Sequence, residues 1–152
     1  MTTDAHVRSV LLFFFLALLD EKAACDAAVI TLQDLNSRLR KVSQPESVVH
    51  SLSVQCQWRQ WKALGNRRNF GQPLVFSETE WLLPVGFDFG AWLEFRRQAT
   101  DDEFLAVLWS QVIKFSDAEI AAGWGISEGA VRHRVGHGLR TLGASQAIRV
   151  PL

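Results

Sequence analysis

The sequence predicts an all-α fold, and three observations carry that expectation. Apolar residues recur at helical spacing through most of the 152 residues. Helix-start signals, such as Ser116 followed three places on by Glu119 and Ser127 ahead of a second run, stand at the edges of those stretches. Pro, Gly and unpatterned aromatic residues gather between residues 71 and 90, where the periodicity is weak. The expected architecture is two small helical domains. Residues 1–70 form the first, residues 71–98 a linker or irregular connector, and residues 99–146 a second domain built on a helix-turn-helix.

Residues 5–19 read as the first helix. Its centre, VLLFFFLALL over residues 10–19, is about half the apolar length that spans a bilayer, and Asp20-Glu21-Lys22 follow at once. An export signal would need a small-residue cleavage site directly after the run. Here Ala23-Ala24-Cys25 comes only after three charges, and Lys22 stands where a lipoprotein signal wants Leu. The run is therefore expected to be a helix buried on most sides, with no membrane insertion. Residues 22–42 form the second helix, with Ala24, Ala28, Leu32, Leu35 and Leu39 on one stripe. Gln44-Pro45-Glu46 punctuates the chain before a third helix over residues 47–64, which carries Val48, Leu52, Gln55 and Arg59 at helical spacings. Gly65-Asn66 ends it, and Arg67-Arg68-Asn69-Phe70 is a basic, aromatic exit. Residues 89–98 have the length of a short helix. Residues 101–114 make another, with Phe104, Leu105, Leu108, Val112 and Phe115 apolar.

The last third is the most specific part. Asp117 and Glu119 place negative charge at the positive end of a helix that Ile120 and Trp124 turn toward a core, with small Ala121 where two helices must approach. Gly125 is expected to leave the helix in a left-handed conformation, Ile126 to plug the corner, and Ser127 to cap the next helix. At about 100° per residue, Val131, Val135, Leu139 and Leu142 fall on one buried stripe. His133, His137 and Arg140 project from the opposite side, flanked by Arg132 and Arg134. No Asp or Glu occurs from Gly129 to the C-terminus, so this end is locally basic. A glycine turn, a capped second helix and one-sided charge are the layout that places a helix in the DNA major groove. Glycines at 129, 136 and 138 each weaken that helix by about 1 kcal/mol relative to alanine.

Composition bounds the rest. Hydrophobic residues make up 48% of the chain, ample for a core, and six Trp with ten Phe load it with aromatics. The formal charge is zero, which excludes a protein that holds nucleic acid by bulk charge alone. Residues 36–73 hold seven Lys/Arg and one acid, whereas residues 74–103 hold seven acids and two bases: two basic patches separated by an acidic, aromatic connector. Cys25 and Cys56 are too few and too far apart for a metal framework, and fit reduced residues of an intracellular protein. His133 and His137 stand one turn apart, yet Arg134-Val135-Gly136 between them lacks the Glu of a zinc-protease motif and no acid follows, so no metal site is expected. There is no glycine-rich phosphate loop and no nucleophile with a plausible base. No catalytic residue, enzyme activity or cofactor is expected.

The segment from Phe115 to Gly143 resembles the C-terminal, promoter-reading domain of bacterial sigma-70 family factors, particularly the small extracytoplasmic-function type. Glu119-Ile120-Ala121, Gly125-Ile126-Ser127-Glu128-Gly129, Val131-Arg132, Arg134, and Leu139-Arg140 with Leu142 carry the resemblance. The matching elements stand in specific order and spacing. The chain departs from the family pattern at Trp124, where a leucine-type residue is usual, at Ala130 in place of Thr, and at His137-Gly138, where a basic residue and an alanine are usual. The resemblance implies base reading at Glu128, Gly129 and His133 and a phosphate held by Arg132. The wider DNA-binding set is Ser127, Glu128, Gly129, Arg132, His133, Arg134, His137 and Arg140.

The front is similar to the sigma domain that grips RNA polymerase and melts the promoter. Ala24 and Asp26 match an alanine–acid pair used against the polymerase clamp, with Val29 where the family has Gln. Trp58, Trp61, Asn66, Arg67 and Arg68 resemble the aromatic, basic helix that receives single-stranded promoter DNA, where aromatics stack on bases and cations hold phosphates. The resemblance implies a cytoplasmic protein that directs or modulates transcription initiation, with promoter DNA and core RNA polymerase as partners and an anti-sigma or other regulatory protein as a further one. Two alternatives stand beside it. The first is a degenerate sigma-like protein that acts by protein–protein contact without sequence-specific DNA binding; the missing Gln, zero net charge, glycine-rich second helix and aromatic load favour it. The second is a simple DNA-binding regulator whose front half senses a ligand or dimerises.

Overall fold

The computed structural model describes residues 3–65, 83 and 86–145, and among them every regular element is helical. The order is α1 (Asp4–Leu18), α2 (Glu21–Leu39), α3 (Pro45–Leu64), α4 (Phe89–Gln98), α5 (Asp101–Val107) running on into a π-helical turn (Leu108–Val112), α6 (Asp117–Trp124) and α7 (Glu128–Ser145). The all-α expectation holds. Asn66, Arg67, Arg68 and half of the expected connector lie outside the described residues.

Helix α1 starts at Thr3, whose hydroxyl accepts the His6 N–H while His6 Nδ1 accepts the Thr3 N–H. It ends at Leu19, which adopts the left-handed conformation (φ 56°) and returns its N–H to the Phe15 carbonyl. Asp20 then caps α2 by accepting the Ala23 N–H. Residues 12–19 are buried without a break, as expected of a helix covered on most sides. No helix among the described residues is long and apolar enough to cross a membrane.

Coverage of α1 comes from α2, the π turn and α4. Ala24, Ala27, Ala28 and Thr31 of α2 form a small-residue stripe that lets the two helices approach. From the π turn, Trp109 stacks on Phe13 at 5.5 Å between ring centroids and 8° between planes. Helix α4 closes the end of α1: the Trp92 indole N–H donates to the Leu16 carbonyl (3.1 Å) and the Arg96 guanidinium to the Ala17 carbonyl (3.3 Å). These are carbonyls of a last turn that has no basic residue of its own. Arg96 is 1% exposed and lies over Phe104 at 4.2 Å.

Helix α3 is rotated from the expected stripe. Its buried residues are Val49, Ser53, Val54, Cys56, Gln57 and Trp61, whereas Val48, Leu52 and Gln55 are half-buried and Arg59 is exposed. The physical reason is that α3 packs against α2 on one side and α6 on another, and also answers a buried indole. Gln57 accepts the Trp109 indole N–H at 2.8 Å and donates to the Ser53 hydroxyl at 2.8 Å, so polar residues occupy core positions. A second cluster of Leu35, Leu39, Val49 and Cys56 seals α2 against α3. Burial, with the Asp34 carboxylate beside it, pushes the Cys56 thiol up to about 12, which makes it inert packing.

Helix α5 begins with a Thr100/Glu103 capping box, then buries every residue from Phe104 to Trp109. The expected continuous helix over residues 101–114 is instead interrupted: the Ile113 N–H reaches the Leu108 carbonyl and the Phe115 N–H the Trp109 carbonyl, and Lys114 takes φ 73°. One hydrophobic core runs through residues of all seven helices. The two segments expected as separate domains thus share their interior. At Gly123 of α6, an added Cβ would strike the Ser51 carbonyl oxygen and lie 2.6 Å from Val54 Cβ, both on α3.

Candidate nucleic-acid interface

Helices α6 and α7 take the expected helix-turn-helix form. The Ser116 hydroxyl accepts the Glu119 N–H (3.1 Å) and the Glu119 carboxylate accepts the Ser116 N–H (2.9 Å), completing the capping box. Gly125 sits at φ 78°, ψ 31°, and the N–H groups of Gly125 and Ile126 both return to the Ala121 carbonyl. Ser127 accepts the Ala130 N–H at 3.0 Å and so starts α7. Val131 and Val135 are buried.

The buried stripe then departs from the expected one. Leu139 is 39% exposed, and the inward positions after Val135 are Gly138 and half-buried Leu142. Close approach causes the shift: an added Cβ on Gly138 would strike Val107 and lie 2.9 Å from the Glu103 carbonyl oxygen. Glycine at 138 lets the start of α5 lie directly on α7, and a leucine one place on is turned outward.

Ser127, Glu128, Gly129, Arg132, His133, His137 and Arg140 are exposed on the outer side of α7 and its entry. The His133 and His137 rings lie against each other one turn apart, tilted, with centroids 4.4 Å from each other. Arg134 is placed differently. It is half-buried, lies over the Trp124 ring at 4.5 Å, and reaches Asp102 at 3.6 Å. The tryptophan at 124 thereby gains both a cation on its face and Trp109 at its edge, 5.0 Å away. Acids from two neighbouring helix starts border the same face. Asp117 lies 3.9 Å and Glu128 4.0 Å from Arg132, and Glu103 lies 4.0 Å from His137. Sequence spacing could not show Asp102 and Glu103 as partners, because they stand more than thirty residues from the cations they meet.

The front candidates do not gather into one face. Asp26 is exposed on α2 and pairs with Lys22 at 3.1 Å, beside Val29 and Ile30, which are about half exposed. Trp58 is half-buried with the Lys62 ammonium 4.0 Å above its ring. Trp61 is a core residue against Phe104, so its rings are not presented to solvent for stacking.

A further cluster joins the front to the helix-turn-helix, and nothing in the sequence marks it. His50 of α3 is bonded through Nδ1 to Glu119 of α6 at 2.7 Å, rests on Phe115 at 5.1 Å, and meets the edge of His6 at 5.8 Å. Burial works to raise the Glu119 carboxyl, but hydrogen bonds from the Ser116 N–H and from His50 outweigh it and hold the group below its ordinary value. Burial, with His50 alongside, lowers His6, so that the neutral ring is favoured. Pro45, Val49, His6 and His50 line an open cavity of about 440 Å³ there. No group of three or more metal-ligating side chains occurs among the described residues.

The chain was compared with protein-family models, curated proteins and solved structures, and none of them matches it.

Proposed function

We propose that this chain is a sigma-factor-like cytoplasmic protein of transcription initiation or its regulation, which binds promoter DNA through α7 and contacts core RNA polymerase through its front helices. The observation that carries the reading is the helix-turn-helix itself. Its second helix buries Val131 and Val135 and turns Arg132, His133, His137 and Arg140 outward on one side. A helix of this kind has the length to lie in a major groove, and Arg with His supplies both phosphate holding and base-edge contact. Exposed Asp26 on α2 is the candidate polymerase contact.

Selection of bound fragments from random double-stranded DNA, followed by anisotropy titration at rising salt, tests it. Enriched sequences should bind with an affinity that falls steeply with salt. Arg132→Ala should weaken binding about equally on all sequences and shallow the salt slope by roughly one unit, whereas His133→Ala should alter preference by about 1–3 kcal/mol at one base pair. Absence of any salt-sensitive enrichment would remove the DNA reading. Co-purification of the full chain with core polymerase, lost on Asp26→Ala, tests the second contact.

One observation favours a second reading, a sigma-like protein that acts by protein–protein contact. Asp102, Glu103 and Asp117 border the cationic side of α7, so the face is of mixed charge. Loss of a bound protein on Arg132→Ala, with DNA binding unchanged, would select it.

A further inference from the structure

We propose that the acidic first turns of α5 and α6 attenuate the hold of α7 on DNA phosphates, with Asp102 and Asp117 setting the strength of binding. The inference rests on the DNA reading given above and names a control built into that same face.

The relevant pairs are Arg134 with Asp102 at 3.6 Å, Arg132 with Asp117 at 3.9 Å and with Glu128 at 4.0 Å, and His137 with Glu103 at 4.0 Å. Arg132, Asp102 and Glu128 are more than half exposed, Asp117 somewhat over a third and Arg134 under a third, and pairs of this length with a partner in solvent contribute little to folding. Packing, not attraction, holds the acids where they are. The bare Gly138 backbone seats the start of α5 on α7, and the turn through Gly125 sets the start of α6 beside it. Asp101, Asp102 and Glu103 fill the first turn of α5, and Asp117 and Glu119 that of α6, where helix dipoles favour them. A phosphate that approaches Arg132 or Arg134 therefore meets a fixed carboxylate well within the screening distance of about 8 Å at physiological salt. The cation gains a phosphate, while the carboxylate it already faces remains beside that phosphate and repels it. Among the described residues of the outer side, His133 and Arg140 have no acid within ion-pair distance, so they bear the unopposed part of the contact.

The test uses the full chain with Asp102→Asn, Asp117→Asn and the double variant, titrated against the DNA selected by the unaltered protein. Each single variant should bind about threefold to tenfold more tightly at low salt and steepen the log–log salt slope by up to roughly one unit, because a cation relieved of its carboxylate neutralises a phosphate more fully. Glu21→Gln on α2, which makes the same change in net charge away from the face, should leave both quantities unchanged. Thermal melting of each variant shows that it folds, and the two single variants stand independently of one another. Unchanged affinity and slope in both Asp variants, with DNA still bound by the unaltered protein, would overturn the inference alone. If the unaltered protein and all variants fail to bind DNA at the lowest salt, the DNA reading falls and takes the inference with it.

Discussion

Glycine does two opposite things in this molecule, and the difference is set by what lies across from it. At Gly123 the facing groups are the Ser51 carbonyl and Val54; at Gly136 of α7 nothing stands within 4 Å of where a Cβ would be. Gly123→Ala should therefore destabilise the fold by about 1–3 kcal/mol through forced separation of α3 and α6, despite the better helix propensity of alanine. Gly136→Ala should stabilise it, by up to about 1 kcal/mol, because only the propensity changes. Denaturant unfolding of the two variants under the same conditions measures both. From the sequence the glycines at 129, 136 and 138 looked alike, as defects of a recognition helix. Only Gly138 is required by packing, and its partners Val107 and the Glu103 carbonyl lie thirty residues upstream. Local signals were readable at this scale: Ser116 with Glu119, left-handed Gly125 and the cap at Ser127 all stand where the spacing put them, since each involves neighbours three or four places apart.

At the scale of elements, α1 shows why an apolar run alone does not identify its surroundings. The sequence revealed that the helix would be buried. It did not reveal that α4 would supply the missing hydrogen-bond donors, because Trp92 and Arg96 lie more than seventy residues from Leu16 and Ala17. Replacing Trp92 with Phe keeps most of the ring volume and removes the donor to the Leu16 carbonyl. We expect a loss of about 1–3 kcal/mol, which thermal or denaturant unfolding would register, because a buried carbonyl then goes without its partner. The π turn after α5 was equally hidden. Residues 108–112 carry an ordinary helical pattern, and the wider turn serves the whole core by bringing Trp109 onto Phe13, Trp124 and the Gln57 carbonyl oxygen together. The buried face of α3 departs from the expected stripe for a related reason: a helix with neighbours on two sides buries more than one stripe, and here polar Ser53 and Gln57 take core positions among the apolar ones.

For the molecule as a whole, one core cluster among the described residues takes side chains from the front helices and from residues 99–146 alike. Trp109 finds its acceptor on α3, Glu119 its second partner at His50, and Gly123 its close neighbour at Ser51. Unfolding should accordingly occur as one transition, with tryptophan fluorescence and far-ultraviolet dichroism coincident. A fragment of residues 99–152 should lack that transition at the same denaturant concentration. Two separated transitions in the full chain would show that the halves hold their structure independently. Composition and motif spacing read each segment against its own periodicity, whereas these contacts between the segments are long-range in sequence.

The bare face of α6 at Gly123 has one more consequence, which concerns aim. Because α3 lies against that helix without a spacer, the direction in which α7 points is set by the front helices as a gun barrel is set by its mount. Two partners engaged at α2 and at α7 would be held at a constant separation and a constant rotational angle. On duplex DNA, one inserted base pair turns the target by roughly 35° about the axis. A chain built in this way has little freedom to follow that turn, and would tolerate few changes in the spacing of whatever it brings together.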